Sequence, residues 1–465
     1  MISDLAHALV GPAAPMHGIG GAKDLPVPAP LAIAGGTAAL IVSFCVLILA
    51  WRTPRYGADD PRLVGRPLPA GLARVLDSPA YQWFLRLLGL TFSLYLGWAL
   101  IAGPDLITNP IFGTFYVLLW VGIVPASLLF GRFYYAVSPI RTLFRLLSRL
   151  TGSDTRTGLW KYPERLGYWP AAGGLFAFVW EELVNPESAY ILYVRLWLAL
   201  YLAIMVIGAA IFGEEWLARA DPFEVYSTLL AKLSVWARDD EGRLVWRSPL
   251  ANLATLRPKP GTIAVVAVLF GSTAFDSYKD SLRWVNFVQN HADLFHLPGL
   301  NTVQVINTVA LFAFCAIIGV TFTLATMSTG VDPDSDLASH RRALPNLFAH
   351  SVVPIIVGYM TAHYLSYFVE QGQTTILQLS DPMVNGSNLL GTANWSVDYW
   401  LSFHPTFLAS TKVLAVVLGH IVGVVAAHDR AISLLPKKHQ VTGQLGLLVI
   451  MVAYTATGLY LLFGA

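Results

Sequence analysis

The sequence predicts an all-α protein, a polytopic transmembrane helical bundle of about 10 spans with both termini extracytoplasmic. Three observations carry this. The 465 residues are 55% hydrophobic and only 12% charged, about half the charged fraction of a soluble domain. Ten apolar stretches approach the ~20 residues needed to cross the hydrocarbon of a bilayer. Finally, 24 of the 30 Lys and Arg fall in alternate connecting loops, the bias that orients membrane proteins.

The apolar stretches lie at 31–51, 83–103, 111–131, 167–184, 190–212, 261–277, 302–326, 346–369, 405–427 and 442–463. They divide the chain into a tail (1–30), five spans (31–212), a cytoplasmic loop or subdomain (213–260) and five more spans (261–465), with an extracytoplasmic loop at 371–404. The fourth and sixth spans are short and Gly-rich, and are expected to be half-buried or broken helices. The basic loops are 52–82, 132–166, 213–260, 327–345 and 428–441, so these face the cytoplasm. The other side carries only Lys23, Lys279 and Arg283. The first residues lack the basic and apolar regions of a secretory signal.

Two of the basic loops have further character. In 138–150, Arg141, Arg145 and Arg149 recur one helical turn apart, which predicts an amphipathic helix lying on an anionic inner leaflet. The loop 214–260 combines an amphipathic helix with a DDEG turn between strand-like pieces. It is a connector, or a docking surface for a partner subunit. Cys45 and Cys315 sit in apolar spans and are expected to be packing residues. There is no phosphate-binding Gly loop and no HExxH. The basic loops also lack interleaved aromatics, so nucleic acid is excluded as a partner; the lipid bilayer is the expected one.

Ionisable side chains at membrane depth are costly and mark a bundle interior or a site. Two layers emerge. In the outer one, His363 lies about 10 Å below the end of the eighth span. Tyr359, four residues earlier, and Glu370, seven later, share its face on a 3.6-residue period. Glu181 and Glu182 end the fourth span, Arg195 lies about a turn into the fifth, and Asp276 ends the sixth. Loop 371–404, with Asp381, Asp398 and His404, caps this layer, and His17 of the tail reaches over it. Asp276, His363 and Glu370 are the candidate catalytic residues, with Tyr359, Asp381 and Asp398 toward substrate. Imidazole and carboxylate donors suit a divalent metal, for which His17, Asp276, His363 and His404 are the candidate ligands. Such a metal would turn a bound water into a hydroxide nucleophile. The plainer alternative is interhelical hydrogen bonding, with Glu182 and Arg195 as a structural ion pair.

The inner layer is His350, His420 and His428. If His350 and His420 face each other they form the ligand pair of a b-type haem. His428, at a helix end, is favoured there by the helix dipole. Lys412, two turns into the ninth span, either snorkels outward or balances Glu370 or Asp276.

Several stretches together resemble one family. They are HGIGGAKDLPVPAP before the first span, FGSTAFDSY in the sixth, VVPIIVGYMTAHYLSYF in the eighth, LSDP and NLLGTA in the outer loop, and GHIVGVVAAHDRAI in the ninth. The chain resembles, from His17 to about Ile432, the fenitrothion-hydrolase-like family of bacterial, mostly actinobacterial, polytopic membrane proteins. The residues matching its recurrent motifs are His17, Asp276, His363, Asp381, His420 and His428. Lys412 departs from the uncharged polar residue expected there. The resemblance implies hydrolysis of an organophosphate triester. Residues and resemblance together predict a metal-dependent hydrolase of the bacterial cell (inner) membrane, taking small apolar phosphotriester-like substrates from the outer leaflet. The alternatives are a haem- or metal-binding redox subunit using His350 and His420, and a transporter or channel. The short Gly-rich spans and buried Glu181, Arg195 and Asp276 motivate the transporter.

Overall fold

The computed structural model describes residues 20–56, 63–156, 158–293, 301–329 and 341–464. In chain order the principal helices are α1 (Ala29–Ala50), α2 (Pro79–Ala102), α3 (Pro110–Val121), α4 (Ile123–Phe130), α5 (Pro139–Thr151), α6 (Trp169–Leu183), α7 (Ile191–Phe212), α8 (Pro222–Leu230), α9 (Thr262–Lys279), α10 (Leu282–Asn290), α11 (Thr302–Met327), α12 (Arg341–Gln378), α13 (Pro405–Leu434) and α14 (Thr442–Phe463). Among the described residues the protein is all-α apart from one small antiparallel sheet, β1 (Arg66–Pro67), β2 (Trp236–Arg238) and β3 (Leu244–Trp246), in the order β1-β3-β2. Among the described residues, seven helices are long and apolar enough to cross a membrane, or eight if the bent pair α3 and α4 is one span.

These helices bury one stripe and expose the rest. In α1, Leu40, Phe44 and Leu47 face the core, while Val42 and Leu49 are 60% and 67% exposed. Apolar side chains left outside around a whole helix bundle match lipid as solvent, because water would penalise so large a patch. The chain reads as a multi-pass membrane protein.

The two Gly-rich segments are not broken. α6 and α9 are continuous helices held in the interior. Every residue of α9 from Val265 to Asp276 is buried, and α6, α11, α12 and α14 pack around it. Its glycine is there for closeness: a Cβ on Gly271 would lie 2.6 Å from the Cα of Cys315 on α11. The break falls in the third span instead, where α3 and α4 meet at 46°. Pro125 has no N–H to give Val121 and its ring crowds that carbonyl. The stretch Gly113–Val121 is π-helical, with Gly122 N donating to Val117 O at 2.9 Å.

The basic loops gather at one end. β1, from the first of them, pairs with β3 from 213–260. Arg238 pairs with Asp77, Arg430 donates to Ala254 O at 2.9 Å, and Trp51 donates to Asp429 at 2.9 Å. The turn Asp239–Gly242 joins β2 to β3. The loop is not a separate body. Asp221 caps α8, and α8 wedges Phe223 and Tyr226 between α3, α6 and α12, where Tyr226 donates to Trp120 O.

The amphipathic helix α5 is turned opposite to expectation. Arg141 is 3% exposed and bidentate on Glu224, itself fully buried. Arg145 pairs with Glu214 at 2.9 Å. Arg141 and Arg145 face protein, whereas Arg149 is exposed with its guanidinium 4.3 Å from the Trp83 ring centroid, and Leu150 is 84% exposed. Glu214 and Glu224, distant in sequence, supply the counter-charges that a lipid leaflet was expected to supply.

Candidate functional site

The last turn of α9 meets the middle of α12 at the end opposite the basic loops. Residues 276 and 279 lie on one face of α9, and 359 and 363 on one face of α12, by helical spacing. Asp276 is 3% exposed. Its Oδ2 accepts from His363 Nε2 at 2.9 Å and from Tyr364 Oη at 2.7 Å, and Lys279 Nζ lies 3.3 Å from Oδ1. On the other side of the imidazole, Nδ1 lies 3.1 Å from Ser277 Oγ. Tyr359 Oη donates to that same oxygen at 3.0 Å. The bonds therefore run Lys279–Asp276–His363–Ser277–Tyr359 without a gap. A carboxylate desolvated this far is tolerable only because three donors surround it.

The two nitrogens of His363 have different partners, which constrains its protonation. With Nε2–H given to Asp276, a neutral ring accepts the Ser277 proton at Nδ1. An imidazolium donates at both nitrogens, and the Ser277 proton turns to Thr273 O, 3.0 Å away. Ser277 thus has two near-equal acceptors, and ring and hydroxyl change roles together.

The cluster opens on a cleft of about 590 Å³ between the ends of α6 and α9, α10 and the start of α11. Glu182, Lys279, Asp280 and Trp284 line it. Glu182 is half-buried, and its Oε2 is enclosed without a hydrogen-bond partner. Its charge lies within electrostatic reach of Asp276 and Lys279.

The remaining predicted site residues are placed elsewhere. Arg195 does not pair with Glu182: it donates to Leu100 O at 2.8 Å. Glu181 accepts from Asn185 at 2.9 Å. Glu370 leaves the face of His363, because Tyr367–Gln371 is π-helical and shifts the helical phase. The fully buried Glu370 accepts from Ser402 N at 3.1 Å and from its hydroxyl. Asp381 accepts from Asn385 N and Gly386 N at 3.0 and 2.8 Å. Burial opposes its ionisation, but the N–H groups of Asn385, Gly386, Ser387 and Val384 outweigh this and hold its carboxyl below the usual range. Asp398 caps Trp400 N at 2.9 Å. Both loop aspartates are therefore engaged in building the loop. His404 is exposed, with Nδ1 at Trp400 O and its ring stacked on that indole. Lys412 is buried within reach of Asp24. His17 lies outside the described residues.

The described members of the expected metal set do not make a metal site. Both nitrogens of His363 are taken up in the bonds above, His404 lies apart, and no three His, Cys, Asp or Glu gather among the described residues. Haem fares no better. His350 sets Nδ1 and Nε2 against Leu347 O and Ala426 O at 3.1 and 3.3 Å, and His420 sets Nδ1 against Val416 O at 2.8 Å. Between them α12 and α13 touch: a Cβ on Gly419 would lie 2.7 Å from Pro354 O, and one on Gly423 2.6 Å from Ser351 O. A porphyrin has no room there. His428 ties three elements, with Nδ1 at Gln444 Oε1 and Nε2 at Trp51 O, 3.0 and 2.9 Å.

Periodicity missed Tyr364. Successive helical residues point about 100° apart, so spacing gives no reason to group Tyr364 with His363. Asp276 sits between the two faces and takes both. Compared with known proteins, the chain matches no family, no curated protein and no solved structure.

Proposed function

We propose that this protein crosses the bacterial inner membrane ten times, with the basic end in the cytoplasm and both termini outside, and that it is a proton-linked transporter. Asp276 and His363 are its proton-binding pair. One observation carries the reading: a buried carboxylate–imidazole pair stands in unbroken hydrogen-bond contact with a polar cleft at one end of the bundle. Intramembrane Asp–His chains of this kind suit proton relays. Along its Ser277 arm the network reaches Tyr359, packed against Phe270 and beside Gly458. Reconstitution into liposomes holding a pH-sensitive dye tests the reading. A pH or potential gradient is expected to drive proton movement in wild type and not in His363→Gln. Equal flux in the two would overturn it.

Hydrolysis is the second reading, favoured by one observation. Ser277, His363 and Asp276 stand in the order nucleophile, base and orienting acid, which is the functional order of a serine hydrolase. Against it, Ser277 shares its proton with Thr273 O and its oxygen with Tyr359. Labelling of Ser277 by a fluorophosphonate, lost in Ser277→Ala, would establish it.

A further inference from the structure

The cleft beside Lys279 is larger than a proton site requires, and its lining is selective. Its volume of about 590 Å³ falls within the ~300–1,000 Å³ of small-molecule pockets. Among the described residues, three charged side chains face it: Glu182, Asp280 and Lys279. Lys279 lies 3.3 Å from Asp276 and within electrostatic reach of Asp280 and Glu182 as well, so one cation stands against three acids. An anion entering here meets three acids and one lysine.

The enclosed Oε2 of Glu182 has no donor. A carboxylate oxygen withdrawn from water without a partner is costly, so the lining lacks a hydrogen-bond donor at that point. Trp284 also lines the cleft. Its indole N–H is fixed on Asn307 Oδ1 at 3.0 Å, and its ring is held between Phe287 and Tyr278 with centroids 5.3 and 5.7 Å away. The immobilised indole adds a fixed aromatic surface to the lining. Val285 and Val288 supply apolar wall. Hard metal ions are not suited by such a lining, which joins few carboxylates to an aromatic and aliphatic surface.

We propose that this cleft binds a small organic cation, a monovalent ammonium carrying an apolar group, with the charge on Glu182 and the apolar group against Trp284. Glu182 and Asp276 lie within electrostatic reach of each other. A cation on Glu182 and a proton on the Asp276–His363 pair therefore compete for the same negative field, which is a physical basis for exchange of one for the other. That coupling rests on the proton-linked reading above; binding itself does not.

The test uses the full chain in lipid nanodiscs and a matched set of ligands: benzylammonium, benzyl alcohol and benzoate, titrated by calorimetry. Benzylammonium is expected to bind at least about tenfold tighter than the other two, since a charge-assisted contact is worth that or more. Glu182→Gln is expected to lower its affinity about tenfold, and Asp280→Asn, at the exposed rim, a few fold. Asp280→Asn keeps the test open if Glu182→Gln does not fold. Benzoate binding as well as benzylammonium, or either variant that folds leaving the affinity unchanged, would overturn the proposal. Loss of proton movement in His363→Gln with no benzylammonium binding in wild type would remove this proposal alone. Binding without proton movement would remove the proton-linked reading alone.

Discussion

Replacing Asp276 by Asn separates the stability of the buried cluster from its proton chemistry. The amide fills the same volume. Its oxygen still accepts from Tyr364 and His363, now 2.7 and 2.9 Å from Oδ2. Its NH2 group then faces Lys279 Nζ, which lies 3.3 Å from Oδ1, donor against donor. Leaving one member of a buried ion pair unpaired costs about 3–5 kcal/mol. Lys279 is one-quarter exposed and opens to the cleft, so part of its hydration survives and about 2–3 kcal/mol is expected. That is below the ~5–15 kcal/mol of a folded protein, so the variant folds. Adding Lys279→Met removes the ammonium that faces the NH2 group and is expected to restore part of the lost stability, about 1 kcal/mol, since the buried NH2 group still lacks an acceptor. It supplies no titratable carboxylate. Thermal unfolding in nanodiscs measures the first effect, and dye-reported proton movement in liposomes the second. The expected pattern is stability lost and then partly regained, with proton movement absent from both variants. Proton movement in the double variant, or in Asp276→Asn alone, would refute the assignment of Asp276 as the proton site.

Other outcomes follow from the same geometry. Arg141→Met or Glu224→Met alone is expected to destabilise by about 3–5 kcal/mol, and the double variant by about 1 kcal/mol or less; a double-mutant cycle by denaturant unfolding checks this, and near-zero single effects would place the arginines on lipid after all. Asp381 has its carboxyl held low in the folded loop, so its contribution is complete above the ordinary carboxylate pKa of about 3.9 and disappears as pH falls through the lowered folded value. Amide exchange at Asn385 and Gly386 should lose protection over that window and be unprotected at every pH in Asp381→Ala; protection indifferent to pH would contradict it. Gly419→Val drives a side chain into Pro354 O, 2.7 Å from even a Cβ, and should cost about 1–3 kcal/mol or more by overpacking, read as a lower unfolding temperature.

Much of the frame was legible in residues. Apolar length located the helices, and Pro125, visible in the sequence, accounts for the bend between α3 and α4. Asp276 and His363 were legible as rare ionisable groups in apolar runs. Glu370 was misplaced because a π-helical turn changes phase without any change in composition. The Arg stripe of α5 was legible as a stripe but not in its direction, since an amphipathic pattern does not say whether charge faces lipid headgroups or a buried Glu224.

The sequence by itself determined an apolar, helical, multi-pass chain and the short roster of side chains able to do chemistry inside it. Both follow from local quantities, run length and residue type, which hold whatever the neighbours. Only the tertiary structure decided which of those side chains meet. It joined Asp276 to His363, Tyr364 and Lys279, gave Arg195 to a backbone carbonyl in place of Glu182, and closed the space between His350 and His420 with glycine contacts. A hydrogen bond or a ligand site depends on helix rotation to within tens of degrees. That angle is set by packing across the whole bundle, through glycines, a proline and π-turns acting together.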